Sequence, residues 1–193
     1  MSDSWTTSEI PDQSGRTALI TGANSGIGKQ AASALAKAGA TVLVGCRDTA
    51  KGERAIAEIR GNHKGGELDL VEIDLADLSS VEAAAKAVRQ RGDDLDLLIC
   101  NAGVMATPKR RTADGFELQL GTNHLGHFAL TGHLVGKLLE APAARIVNVS
   151  SLAHRQGSMD FGDLNWERDY SRWGAYGRSK LANLMFTFEL DRR

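Results

Sequence analysis

Five short apolar runs alternate with segments of helical periodicity along this chain, and that alternation restricts its fold more than any other feature. The apolar runs are residues 17–20, 41–44, 68–73, 95–100 and 145–149. Helices are predicted over residues 27–38, 51–60, 79–90 and 116–140, with a last helix that starts near Tyr176. Strands joined by helices must run parallel, and right-handed crossovers then give a doubly wound, three-layer α/β/α sandwich.

The chain length favours one domain. A chain of 193 residues is long enough for one α/β domain and marginal for two. We therefore predict a polar N-terminal arm over residues 1–15, without the apolar stretch of a secretory signal, and a single domain over residues 16–193.

The two cysteines, Cys46 and Cys100, are too few for a disulfide framework, which favours a reducing compartment and a cytoplasmic location. Ser79 is predicted to cap the third helix, with Glu82 completing a capping box.

The charge balance argues against several classes of partner. The 23 basic and 24 acidic side chains leave a net charge of −1, which provides no general attraction for nucleic acid. The longest uncharged stretch, residues 118–136, contains Asn123 and three histidines, so no membrane span is predicted. Two of these histidines, His124 and His127, have helical spacing but lack a third ligand cluster, so no metal site is predicted.

Three glycines lie between the first predicted strand and the first predicted helix. In this context, backbone amides and the helix N-terminus can bind a diphosphate, although an ordinary glycine-rich turn is the alternative. No Gly-Lys-Ser/Thr sequence follows the turn, so the usual groups for nucleotide hydrolysis with magnesium are missing. The turn residues assigned to cofactor binding are Gly22, Asn24, Ser25, Gly26, Ile27 and Gly28.

The end of the second strand indicates which dinucleotide is bound. In NAD-binding proteins of this architecture an acidic residue at this point binds the ribose 2′-hydroxyl. Here Cys46 is uncharged and Arg47 follows it, which removes a repelling carboxylate and supplies a planar cation for a 2′-phosphate. NADP is therefore favoured over NAD. The alternative is that Arg47 is a surface charge paired with Asp48.

Polar residues at the far end of the chain form a second candidate site. Tyr176 and Lys180 are four residues apart and share one face of the predicted last helix. Ser150 and Ser151 follow the fifth strand, at the edge where open parallel sheets bind ligands. Polar capping of the strand end is the alternative for the two serines.

Together these segments resemble the short-chain dehydrogenase/reductase family, in its retinol dehydrogenase-like branch. The family's glycine turn matches residues 21–28, and segments typical of the branch match residues 123–128 and 176–183. The resemblance implies a Rossmann fold with strand order 3-2-1-4-5 and a homodimer or homotetramer. The positions that match the family's remaining cofactor-binding motifs are Asp74, Leu75, Asn101, Ala102 and Gly103. The positions that match its catalytic residues are Asn123, Ser151, Tyr176 and Lys180.

The resemblance also implies a reaction, which is hydride transfer between NADP and an alcohol or carbonyl substrate of apolar or retinoid-like character. Tyr176 is expected to be the general base or acid, with Lys180 favouring its phenolate and contacting the cofactor. Ser151, the second serine of the pair as in the family, is expected to donate to the substrate oxygen. Asn123 is expected to hold a water in a proton relay to Lys180.

The chain ends with the helix that carries Tyr176, where members of the family continue into a sixth and a seventh strand. We therefore expect the domain to be C-terminally incomplete. Without those strands the fifth strand becomes an exposed edge. The alternative function is then a nucleotide-binding fragment, or a catalytically impaired remnant of such an enzyme.

Overall fold

A parallel five-stranded sheet forms the centre of the computed structural model, which describes residues 5–62 and 64–193. The strand order is β3-β2-β1-β4-β5, and every paired strand is parallel to its neighbour. This confirms the predicted sheet and its order. The strands are β1 Thr17–Thr21, β2 Thr41–Cys46, β3 Leu68–Glu72, β4 Leu97–Cys100 and β5 Arg145–Asn148.

Helices cover both faces of the sheet because successive strand residues point to opposite sides. Leu19 of β1 belongs to a buried cluster with residues of α3 and α5, whereas Ile20 belongs to a second cluster with residues of α1 and α2. The three-layer sandwich is therefore confirmed. The helices are α1 Gly26–Lys37, α2 Thr49–Asn62, α3 Leu78–Arg89, α4 Leu118–Leu120, α5 Gly126–Glu140 and α6 Arg172–Arg192.

The prediction of one continuous helix over residues 116–140 is wrong. The helical stretch contains a π-helical turn, Gly121–Leu125, between α4 and α5. Glu117 caps the start of α4, because its carboxylate accepts the backbone N–H groups of Gln119 and Leu120 at 3.0 and 2.8 Å. Such a turn is a short insertion within an α-helix, so a segment that contains it still has an overall helical pattern.

Three other predicted boundaries also require correction. The cap of α3 is Asp77 and not Ser79, because the Asp77 carboxylate accepts the N–H of Ser79 at 2.9 Å. Helix α6 begins before Tyr176, since the Ser171 hydroxyl caps it by accepting the N–H of Gly174 at 3.1 Å. Strand β4 starts at Leu97 and not at residue 95, although Leu95 is buried.

The described part of the predicted arm is bound to the end of α1 through Gln13. The Gln13 backbone N–H donates to the Ala38 carbonyl at 2.8 Å, and the Gln13 side chain is buried. Residues 1–4 of the arm lie outside the described residues, and the division into an arm and one domain stays a prediction. Among the described helices, none has both the length and the apolar composition needed to cross a membrane.

Candidate active site

A cleft of about 410 Å³ opens at the carboxyl ends of β1, β2 and β4. Predicted cofactor-binding residues that line it are Gly22, Asn24, Ser25, Ile27, Arg47, Asp74, Leu75, Asn101, Ala102 and Gly103. Gly26 and Gly28 lie in the first turn of α1, beside this lining. Lining residues that were not among the predicted cofactor-binding positions are Thr21, Cys46, Asp48, Lys51, Ile73, Val104 and Thr122. Most of them flank predicted positions at the strand ends, and Lys51 lies in the first turn of α2.

The glycine turn has the backbone shape that a phosphate-binding loop needs. Gly22 and Gly26 have φ angles of +67° and +53°, in the left-handed region that favours glycine. The N–H of Gly22 donates to the Gly45 carbonyl at 2.7 Å, which holds the turn against β2. Within the described residues, the Ser25 side chain makes no capping bond to the twelve-residue helix α1. The first amides of α1 therefore keep their capacity to bind an anion.

Two cations lie at the β2 end of the cleft, each in an exposed ion pair. Arg47 Nη1 is 3.5 Å from Asp74 Oδ2, and its side chain is 74% exposed. Lys51 Nζ is 3.2 Å from Asp48 Oδ2, so the pairing of Arg47 with Asp48 that we considered is not the one observed. Hydrogen bonds from Lys51 lower the pKa of Asp48. Exposed pairs of this kind contribute about 1 kcal/mol or less, so both cations can turn toward a phosphate.

The Thr21 hydroxyl anchors the loop after β4 to the end of β1. Its oxygen accepts the backbone N–H of Asn101 at 2.9 Å and of Ala102 at 3.0 Å. The Asn101 side-chain amide also donates to the backbone carbonyl of Thr21 at 2.8 Å. These bonds position the Asn101, Ala102 and Gly103 side of the cleft.

Three hydrogen bonds hold the Asn123 side chain in place. Its Oδ1 accepts the Val104 N–H at 2.8 Å, and its Nδ2 donates to the Val104 carbonyl and to Ser179 Oγ, each at 2.9 Å. Its backbone carbonyl lies 2.9 Å from Nδ1 of the buried His127. Both N–H donors of the amide are used, so a relay water at this residue can donate only to the second lone pair of Oδ1 or of the backbone carbonyl.

Tyr176 and Lys180 lie together at the start of α6. Lys180 Nζ is 5.7 Å from the centre of the Tyr176 ring and donates to the Val149 carbonyl at 3.0 Å. Burial lowers the pKa of Lys180. Among the described residues, no protein group forms a hydrogen bond with the Tyr176 hydroxyl. The phenol is therefore available to a ligand.

The two serines after β5 differ in how their hydroxyl groups are used. Ser150 Oγ donates its hydrogen to the Lys180 carbonyl at 2.8 Å. Ser151 Oγ accepts the Ala153 N–H at 3.2 Å, and its hydrogen has no acceptor in the part of the chain that the structure describes. Only Ser151 can therefore donate to a substrate without breaking an internal bond.

The buried histidine should make the stability of the protein depend on pH. Burial lowers the pKa of His127 to about 4 from an ordinary 6.5, and the charges of Lys180 and His124 act in the same direction. Between these pH values the unfolded chain binds a proton that the folded chain excludes, so stability falls as the pH falls. From about pH 7.5 to about pH 5 this group is expected to remove about 2 kcal/mol from the free energy of unfolding.

Urea unfolding at both pH values, for the wild type and for His127→Asn, checks this expectation. The variant lacks the titrating ring, so it should lose about 2 kcal/mol less than the wild type between the two pH values. Equal losses in the two proteins would contradict the assignment of this pH dependence to His127.

Comparisons with known proteins identify the family of the chain. A family model described as short chain dehydrogenase matches residues 16–193. Human retinol dehydrogenase 12 is 50% identical over 179 residues, which cover 93% of this chain and 57% of that protein, so the chain spans little more than half of this relative.

Solved structures share the fold of this chain. The crystal structure of an uncharacterized protein from Mycobacterium paratuberculosis has 50% identity and a TM-score of 0.89, over 98% of this chain and 66% of that one. The NADP active-site complex of Pseudomonas aeruginosa RhlG has 26% identity and a TM-score of 0.74, over 94% of this chain and 68% of that one. One of the solved structures that are similar to this chain therefore has NADP in its active site.

Proposed function

Because the chain belongs to the short-chain dehydrogenase family, in its retinol dehydrogenase-like branch, we propose that it is an oxidoreductase that uses NADP to interconvert an alcohol and a carbonyl group. When bound, the nicotinamide supplies or accepts the hydride. The observation that carries the proposal is that the glycine-lined cleft and the Tyr176 site lie next to each other. A Cβ atom on Gly103, which lines the cleft, would lie 3.7 Å from Lys180 Nζ.

The chain's own residues supply proton transfer and charge stabilisation. In the reductive direction the Tyr176 hydroxyl donates its proton to the substrate oxygen, and the Ser151 hydroxyl donates a hydrogen bond to the same atom. The Lys180 ammonium group stabilises the phenolate that remains. A water at the Asn123 carbonyl returns a proton through Lys180. In the oxidative direction each of these transfers runs in reverse.

The residues present fit a dinucleotide with a 2′-phosphate. The left-handed glycines and the first amides of α1 suit a diphosphate, and Arg47 and Lys51 lie at the ribose end of the cleft. No acidic side chain occupies position 46, where a carboxylate would repel a phosphate. These features support NADP rather than NAD as the cofactor.

Replacing Arg47 with aspartate is expected to weaken NADPH binding about tenfold or more and to strengthen NADH binding, because it removes a charge-assisted bond to the 2′-phosphate. Titration of both cofactors, followed by protein fluorescence, measures the change in preference. Arg54→Asp on the exposed side of α2 is the control with the same change of charge. An unchanged ratio of NADPH to NADH affinity in Arg47→Asp would show that Arg47 does not determine the preference.

Exposed apolar side chains beside both catalytic hydroxyl groups support an apolar substrate. Leu152, which follows Ser151, is 75% exposed, and Trp173, one helical turn before Tyr176, is 57% exposed. The Trp173 and Tyr176 rings meet edge to face at 6.2 Å. Covering such surfaces with an apolar substrate is favourable, at about 25 cal/mol per Å².

The experiment that tests the proposed function follows NADPH absorbance with paired carbonyl substrates. All-trans-retinal and other apolar aldehydes are each compared with a small hydrophilic aldehyde. We expect kcat/KM to be about tenfold or more higher for the apolar members. Equal rates across the pairs would refute the apolar preference.

The same experiment tests a second function, a nucleotide-binding fragment without turnover. The lining of the cleft favours this alternative, because it includes the glycine turn but none of Ser151, Tyr176 and Lys180. NADPH binding without consumption by any aldehyde would establish it, whereas turnover that depends on Tyr176 would exclude it. Absence of NADPH binding would refute both functions.

We also propose that the protein assembles as a homodimer or homotetramer through α5 and α6. Phe128, Met185 and Phe188 are exposed along an apolar groove of about 690 Å³ between these helices. The Phe128 and Phe186 rings are 5.2 Å apart in the same groove. Exposed apolar patches of this kind are typical of protein interfaces.

Replacing Phe188 with glutamate is expected to convert the assembly into monomers, because a charge cannot be buried in this groove without a partner. Analytical ultracentrifugation of wild type and variant measures the masses. Trp5→Glu, at an exposed aromatic residue of the arm, is the control and should leave the mass unchanged. A wild type that sediments as a monomer would refute the proposed assembly.

The cellular location stays a proposal as well. Cys46 and Cys100 are both buried and unbridged, as expected in a reducing compartment. Burial raises the pKa of Cys100 to about 12, which keeps this thiol protonated. These observations support a cytoplasmic location.

A further inference from the structure

His127 connects two parts of the site that are far apart in the sequence. It lies in the first turn of α5 and is 2% exposed. Its Nε2 is 2.8 Å from the Thr21 hydroxyl at the end of β1, and its Nδ1 is 2.9 Å from the Asn123 carbonyl in the π-helical turn. The ring therefore joins the start of the nucleotide-binding turn to the residue proposed to hold the relay water.

The hydrogen bonds around Thr21 determine which ring nitrogen carries the proton. The Thr21 oxygen already accepts two backbone N–H groups, from Asn101 and Ala102, so both of its lone pairs are used. Its hydrogen must therefore be donated, and His127 Nε2 at 2.8 Å is a better acceptor than the Ile99 carbonyl at 3.4 Å.

The remaining ring nitrogen then has a fixed role. With Nε2 accepting, the neutral ring carries its hydrogen on Nδ1, which donates to the Asn123 carbonyl. A proton on Nε2 would face an oxygen that has no lone pair left, so a cationic ring would break one of the bonds at Thr21. Only the neutral form with hydrogen on Nδ1 satisfies all four hydrogen bonds.

We infer that neutral His127 is a positioning residue, which couples the nucleotide-binding turn to the Asn123 carbonyl. The inference rests on the proposed function, because it concerns the same cofactor and the same proton relay. On the Thr21 side, it fixes the hydroxyl that anchors Asn101 and Ala102 in the wall of the cleft. On the other side, it orients the Asn123 carbonyl, which is the group proposed to hold the relay water.

Two substitutions each remove one of the two hydrogen bonds of the ring and keep the other. The asparagine amide is as far from the backbone as Nδ1, so His127→Asn keeps a donor for the Asn123 carbonyl and loses the acceptor for Thr21. Glutamine reaches the place of Nε2, so His127→Gln keeps the acceptor for Thr21 and loses the donor. Equivalent substitutions at His133, which is exposed on α5, are the matched controls.

The two variants are expected to fail in different ways. His127→Asn should raise the NADPH dissociation constant about tenfold and keep kcat at saturating NADPH within about twofold. His127→Gln should keep the dissociation constant within about twofold and lower kcat about tenfold. Equal changes of both constants in the two variants, or no change in either, would overturn the inference and leave His127 as a packing residue.

Nitrogen NMR of the wild-type protein without cofactor tests the hydrogen bonds directly, and it decides the matter if neither variant folds. We expect the His127 ring to be neutral with hydrogen on Nδ1, and to stay neutral down to about pH 5. Hydrogen on Nε2, or titration at the ordinary value of about 6.5, would overturn the inference. This measurement needs no bound cofactor, so it stands even if NADPH fails to bind and the proposed function is wrong.

Discussion

Replacing Tyr176 with phenylalanine is expected to lower kcat about 10²- to 10⁴-fold, the range for loss of a general acid or base. The Tyr176 hydroxyl makes no hydrogen bond within the described part of the chain, so its removal disturbs no internal contact. The ring keeps its edge-to-face packing on Trp173. NADPH affinity and the thermal midpoint should therefore remain close to those of the wild type.

The other tyrosine of the chain is a matched control for this variant. The Tyr170 hydroxyl accepts the Gln119 side-chain amide at 3.0 Å and lies 3.1 Å from both the Thr107 carbonyl and a Glu117 carboxylate oxygen. Tyr170→Phe should therefore lower stability by about 1 to 3 kcal/mol with little effect on kcat. Activity of Tyr176→Phe similar to that of Tyr170→Phe would remove Tyr176 from the proposed mechanism.

Replacing Gly28 with alanine is expected to weaken NADPH binding about 100-fold, because the added methyl group has no space in the folded turn. Its Cβ would lie 2.5 Å from both the Gly22 carbonyl oxygen and the Asn101 side-chain amide nitrogen. The Gly22 oxygen is backbone of the cofactor-binding turn itself, so relief requires α1 to move away from the turn. Overpacking of this kind costs about 1 to 3 kcal/mol.

Fluorescence titration with NADPH and thermal denaturation measure the two consequences of this substitution separately. Gly61→Ala in α2 is the control, because a Cβ there meets no atom within 4 Å and alanine favours the helix. An NADPH dissociation constant for Gly28→Ala within about threefold of the wild-type value would show that the turn does not bind the diphosphate.

The residues proposed to determine the cofactor preference show which features of the site local sequence can predict. Arg47 was predicted to lie beside the cofactor from its place after the second strand, and in the structure it lines the cleft. Its partner could not be predicted, because Asp48 is adjacent in sequence whereas Asp74, the observed partner, lies 27 residues away on the neighbouring strand end. Lys51 was missed for a related reason, since only the start of α2 brings it back over the cleft.

The choice between the two serines shows the same limit. Sequence reasoning chose Ser151 from the resemblance alone. The structure adds a physical reason, because the Ser150 hydrogen is donated to the Lys180 carbonyl of α6. This bond joins residues that are 30 positions apart, so no local pattern could indicate it.

The sequence by itself determined the strands, the parallel sheet and the glycine turn, because apolar periodicity and turn chemistry act over a few neighbouring residues. It also indicated which segments meet at the carboxyl edge, since parallel strands end on the same side. Tertiary structure alone decided the bonds of His127, whose contact with Thr21 spans 106 residues. A buried polar group takes whatever partner the packing of distant elements brings within about 3 Å, and that partner is not encoded in the group's own neighbourhood.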